Sequence, residues 1–209
     1  MKFYDFAAAP SPRRVRMFLA EKGMTIPTVQ VDLRAGEQLR PEFITLNPWA
    51  TVPVLELDDG TAISEASACC RYLEEIHPQP PLLGGTAKDK AVIAMWDHRC
   101  EVDGFLAVAE ALRNEVKGMA GRALPGQVGY EQIPALAERG RARIKHFFEV
   151  LDARLAGSAF VAGPEFSVAD ITAFVAVEFA GWLKLAPAES ALALRRWLDG
   201  MRQRPSARA

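Results

Sequence analysis

Residues 47–67 read Asn-Pro-Trp-Ala-Thr-Val-Pro-Val-Leu-Glu-Leu-Asp-Asp-Gly-Thr-Ala-Ile-Ser-Glu-Ala-Ser and leave few folds open to the chain. Val54 to Leu57 predicts a short strand, with Leu55 and Leu57 alternating against Glu56. Asp59-Gly60 is a two-residue hairpin signal of the type I′ kind, because Gly accepts φ > 0 freely. The chain returns through Thr61 to Ile63, and Ser64-Glu65 opens a helix with Ser64 as its N-cap. Pro53 stands at the entrance of the first strand, where a missing N–H is tolerated and a cis bond is accessible. The stretch thus sets a strand-edge backbone beside a helix N-terminus bearing an acidic residue. Such a place pairs with a peptide backbone and holds a carboxylate.

The pattern changes character once along the chain. Lys2 to Phe6 alternates like a strand, and Ser11-Pro12 reads as a helix start, Ser at N-cap and Pro at N1. That helix continues through Val15, Phe18 and Leu19 and ends at Gly23. Val29 to Val31 predicts a second strand, and Pro41 to Leu46 a helical turn. The helix from Ser64 carries Ala68, Tyr72, Leu73 and Ile76 and stops at His77-Pro78. Pro78-Gln79-Pro80-Pro81-Leu82-Leu83-Gly84-Gly85 is stiff and extended, the composition of a linker.

Everything after that linker has a helical period. Lys88 to about Asn114 is one long helix, Met119 to Gly129 a glycine-rich surface loop, and Ala137 to Leu155 a second apolar stripe. Arg139, Arg141, Arg143 and Lys145 fall off that stripe and read as a solvated face. At Ser167-x-x-Asp170 a capping box opens a helix that is apolar nearly all round from Ile171 to Leu183, hence central. Leu194, Trp197, Leu198 and Met201 mark a last packed helix.

Composition narrows the function classes. With 25 basic and 26 acidic residues and a net charge of −1, nothing selects nucleic acid or an anionic membrane as partner. No uncharged run approaches the roughly 18 residues that a membrane span needs. Three cysteines without Cys-x-x-Cys spacing and three scattered histidines argue against a disulfide framework or a metal site. A soluble cytoplasmic protein is expected.

At Thr51-Val52-Pro53, Ser64-Glu65 and Ser167-x-x-Asp170 the sequence resembles the glutathione transferases over nearly its full length. The resemblance implies an α/β thioredoxin-like N-terminal domain (1–77), a linker (78–85) and an all-α C-terminal domain (86–209). It implies a homodimeric transferase of detoxification that uses glutathione as co-substrate, without a permanently bound cofactor or metal. Two other readings share the fold: a non-catalytic glutathione-binding protein, and a glutathione-dependent disulfide or peroxide reductase.

Carried over residue by residue, glutathione would lie on Ser11, Gln38, Thr51, Val52, Pro53, Glu65 and Ala66. Val52 would pair through its backbone, and Glu65 with the Ala66 N–H would meet the γ-glutamyl end. The family's Ser or Cys activating position falls on Ala9, and its Tyr position near Ala8. Neither residue donates a hydrogen bond, so thiolate stabilisation passes to the Ser11 hydroxyl, to the helix N-terminus with the backbone N–H of Arg13, or to a bound water. A hydrophobic electrophile would sit among Ala9, Pro10, Arg99, Leu106, Arg113 and Asn114.

Overall fold

A computed structural model describes all 209 residues. β1 (Lys2–Asp5), α1 (Pro10–Glu21), β2 (Thr28–Gln30), α2 (Pro41–Leu46), β3 (Val54–Glu56), β4 (Ala62–Ser64) and α3 (Ala66–Ile76) form a thioredoxin-like unit. Its sheet has the order β2-β1-β3-β4, parallel between β1 and β2 and antiparallel elsewhere, with Tyr4 opposite both Val29 and Val54. Alternation sorts the side chains. Phe3 and Leu55 enter the main core with Val15, Phe18 and Leu73 from α1 and α3, whereas Tyr4 and Val54 meet Val31, Phe43 and Val52 on the other face.

The β3–β4 connection departs from the type I′ expectation. Only Gly60 has positive φ (86°), the Gly60 N–H donates to the Leu57 carbonyl, and the Leu57 N–H donates to the Thr61 carbonyl. This is the three-residue loop with glycine in the left-handed position, which needs one permissive residue instead of two.

The helical part begins with α4 (Ala87–Arg99), capped by a Thr86/Asp89 box. It runs through a π-helical turn at Cys100–Phe105 into α5 (Leu106–Glu115). The predicted long helix is therefore continuous but widened. At Gly104 an added Cβ would lie 2.6 Å from the Phe147 ring, so glycine lets α6 (Pro134–Ala156) approach the turn. Gly140 does the same from the α6 side, its missing Cβ leaving the Ala107 carbonyl and Ala111 N–H at what would be 2.8 Å. Because those neighbours are backbone, Gly140→Ala is expected to destabilise the fold by about 1–3 kcal/mol, read as a lowered urea midpoint.

The charges of α6 lie off the buried stripe, Arg139 and Lys145 exposed, and the three arginines also tie the helix to its neighbours. Arg139 and Arg141 fork onto Glu110 and Glu115 of α5, and Arg143 donates to the Val102 carbonyl. α7 (Val168–Ala180) is buried at nearly every residue, and α8 (Leu192–Gln203) packs Leu194, Trp197, Leu198 and Met201 against the same core. Residues 78–85 are pinned as well as stiff: the buried Lys22–Glu74 pair reaches the Pro80 carbonyl and the Leu83 N–H, and the Val168 N–H takes the Leu82 carbonyl. One apolar cluster runs unbroken from Phe3 to Met201, so the N-terminal unit and the helices share a core. No helix is long and apolar enough to cross a membrane.

Candidate functional site

The backbone left free near Pro53 is not a strand edge. β3 lies inside the sheet, paired with β1 on one side and β4 on the other. What is free is Val52, one residue earlier. Buried Asn47 organises the turn: its side-chain amide donates to the Thr51 carbonyl (2.8 Å) and its oxygen accepts the Trp49 N–H (3.2 Å). Ala50 is held at φ 54°, and the Val52–Pro53 bond is cis. Val52 lies outside the ladder, and neither its N–H nor its carbonyl takes a partner within the chain. A complementary backbone would satisfy both groups.

Ser64 does not cap the next helix. It closes β4 opposite Val54, and the N-cap is Glu65, at φ 69° and ψ 131°. No side chain caps α3, so the first N–H groups, from Ala66 onward, stay open at the positive end of the helix dipole. A non-glycine residue held at positive φ costs on the order of 1–3 kcal/mol and marks a place where the fold stores strain. Here the exposed Glu65 stands at an uncapped helix start. That pairing suits an amino acid, ammonium on Glu65 and carboxylate on the N–H groups.

Ser11 is likewise displaced from its expected place. Ala9 is the N-cap and Pro10 the first residue of α1, so Ser11 lies one residue inside the helix. Prolines at 10 and 12 delete two of the first-turn donors, and the Ser11 N–H takes no partner within the chain. The Ser11 hydroxyl is not a cap. It accepts from Arg14 Nη2 at 3.1 Å, which leaves its own proton free to donate. Arg14 is buried, lies over the Phe105 ring at 4.4 Å and pairs with Glu101 at 3.0 Å. The α1 N-terminus is thereby tied to the π-helical turn of the other unit. Arg14 and Phe105 escape a sequence reading because only tertiary packing brings them together, although Arg14 stands a helical step of three from Ser11.

Gln38, in the turn before α2, has a buried Oε1 without a partner. It is thus a polar group held ready on a short 3₁₀ turn. The cysteines offer no rival chemistry: all three are buried, and burial pushes the Cys69 thiol up to about 12.

A cleft of about 370 Å³ opens beside the β1–α1 loop. Ala9 and Pro10 line it, as do Ala7, Ala8 and Arg13, but the other expected members do not. Arg99 lies over Trp96, and Leu106 is half exposed elsewhere on the long helix. Arg113 donates to the Arg122 carbonyl, while buried Asn114 bridges the Glu110 carbonyl and the Ile133 N–H. These bonds fasten the loop between α5 and α6. The far wall comes instead from α7, with Val175, Glu178 and Phe179, from the exposed Trp182 in the turn after it, and from residues 207–209. Helical period alone placed these α7 residues in a central core helix and gave no sign that its last turn faces a cleft.

Family models match both parts of the chain, "Glutathione S-transferase, N-terminal domain" over residues 9–76 and "Glutathione S-transferase, C-terminal domain" over 95–205. Glutathione S-transferase 2 of Saccharomyces cerevisiae is 38% identical over 208 residues, covering 99% of this chain and 87% of its own. The crystal structure of Gtt2 from that yeast superposes with a TM-score of 0.92 at 37% identity, covering 100% of this chain and 99% of that one. A glutathione S-transferase domain-containing protein of Marinobacter aquaeolei gives a TM-score of 0.92 at 36% identity, with 99% of each chain covered. Sequence and fold therefore agree, and the chain belongs to the glutathione S-transferase family.

Proposed function

We propose that this chain binds glutathione along Val52 and the α3 N-terminus and conjugates it to a hydrophobic electrophile in the neighbouring cleft. The observation that carries this reading is the unpaired N–H and carbonyl of Val52 beside the uncapped helix under Glu65. The cysteinyl backbone of glutathione pairs with Val52, beside Thr51 and Pro53. The γ-glutamyl end takes Glu65 and the Ala66 N–H, and Gln38 serves the glycyl end. The protein is organised as 1–77, a linker at 78–85 and 86–209, and it works as a cytoplasmic homodimer.

A thiol of pKa ~8.5 is only about 3% ionised at pH 7, so holding the thiolate is a main task. Its sulfur lies at the α1 N-terminus, where the Ser11 N–H and hydroxyl, the backbone N–H of Arg13 and the helix dipole favour negative charge. The thiol proton passes to solvent. The sulfur lone pair then forms the C–S bond, and the leaving group departs with the electron pair of the bond that breaks.

Steady-state conjugation assays with several electrophiles test the activity, and glutathione binding with no rate above background would refute it. Ser11→Ala tests the donor. Losing one charge-assisted hydrogen bond raises a bound thiol pKa by about one unit. The acid limb of the kcat/KM profile is expected to move up by that amount; an unmoved limb would assign the task to the backbone alone.

A further inference from the structure

The charges around the 370 Å³ cleft are unevenly matched. Its lining holds three guanidinium groups, Arg13, Arg16 and Arg208, against one side-chain carboxylate, Glu178. Arg16 is spent on Asp5 at 2.5 Å, and Glu178 on Arg202, which forks onto it at 2.8 and 3.2 Å. Arg13 and Arg208 have no carboxylate within ion-pair distance. Arg13 is half buried over the Phe174 ring (5.2 Å) and spends one N–H on the Ala207 carbonyl (2.9 Å). Its remaining donors are held in place beside the cleft. Burial lowers its pKa and the Glu178 carboxylate across the cleft opposes that shift.

The same cleft carries an aromatic platform. Trp182 is 56% exposed, and the edge of Phe179 fixes it at 5.1 Å, perpendicular. The Ala7-Ala8-Ala9 loop opposite presents only methyl groups, leaving room for a flat ring. A fixed indole face in one cleft with a guanidinium that makes no ion pair of its own is a recognition pair for an aromatic anion.

We propose that the electrophiles this cleft prefers are aromatic compounds bearing a carboxylate or similar anion, the ring on Trp182 and the anion on Arg13, with Arg208 adding to the field. The inference rests on the conjugation reading above and names its substrate class. In the reaction with a chloroarene, the glutathione thiolate sulfur donates its pair to the ring carbon and chloride leaves with the C–Cl pair. The carboxylate is unchanged throughout and serves only for recognition.

Two measurements test it. Calorimetric titration of unreactive dinitrobenzoate and neutral dinitrobenzene asks about the cleft without any turnover. Wild type is expected to bind the carboxylate on the order of tenfold more tightly, Arg13→Gln to abolish that preference and Arg13→Lys to keep most of it. Trp182→Ala should weaken both ligands together. Equal affinities in wild type, or a preference that survives Arg13→Gln, would overturn the proposal. Conjugation of a chlorodinitrobenzoate and a chlorodinitrobenzene, each relative to its uncatalysed rate, should repeat the ratio. A wild-type protein that conjugates neither would refute the transferase reading alone, since the titrations judge the cleft independently.

Discussion

Asp170→Ala is expected to lower the unfolding free energy by about 4 kcal/mol, and the melting temperature by about 10 °C. Asp170 is fully buried at the start of α7. It accepts the Val161 N–H (2.9 Å), the Ser167 N–H (3.1 Å), the Ser167 hydroxyl (3.2 Å) and the Trp197 indole N–H (3.0 Å). One carboxylate therefore caps α7, fixes the loop before it and anchors α8. Truncation orphans four donors where water does not reach, and each buried unsatisfied group costs about 1–3 kcal/mol. Thermal unfolding checks this, and a loss near 1 kcal/mol would mean that a simple cap is all that Asp170 provides.

Burial also gives this group a pH signature. It pushes the Asp170 carboxyl up to about 6, against the pull of the four donors. A carboxyl raised on folding contributes stability below its ordinary pKa near ~3.9 and loses it as pH climbs to its folded value. Unfolding of wild type and Asp170→Asn, compared between pH 4 and pH 7, should show the wild type losing ground relative to the variant as pH rises.

Glu65→Gly is expected to separate stability from function. Removing the side chain releases the φ 69° backbone from strain and should stabilise the protein by about 1 kcal/mol. The same change removes the carboxylate from the rim of the α3 N-terminus. A charge-assisted contact to the glutathione ammonium is worth about 1.5–3 kcal/mol, so the KM for glutathione should rise by about 10- to 100-fold. A variant that melts higher and binds glutathione poorly fits this account. One that melts lower and binds normally would show Glu65 to be a structural residue.

Those two residues show what was legible in the sequence and what was not. The Ser167-x-x-Asp170 box is a local pattern whose partners lie within one turn, and the helix it opens is apolar all round, so both could be read directly. Its bonds to Val161 and Trp197 are long-range and left no local mark. Thr51-Val52-Pro53 and Glu65 stood out by resemblance, but the sequence put Ser64 and Ser11 at N-caps that Glu65 and Ala9 occupy. Ser and Pro have strong intrinsic preferences for those positions, and here tertiary structure overrides them: Ser64 is claimed by the β3 ladder and Ser11 by Arg14. The cleft was the least legible part. Arg113 and Asn114, expected at the electrophile pocket, fasten a loop instead, while Trp182 and Phe179 were hidden inside an apolar run.

On the proposed reading, a site with alanines at positions 8 and 9 still activates the thiol of glutathione. The ultraviolet difference spectrum of bound glutathione, followed against pH, reports the thiolate directly. A bound thiol pKa at least one unit below ~8.5 is the result predicted from the α1 N-terminus and Ser11. Glutathione that binds with an unshifted thiol pKa would contradict it.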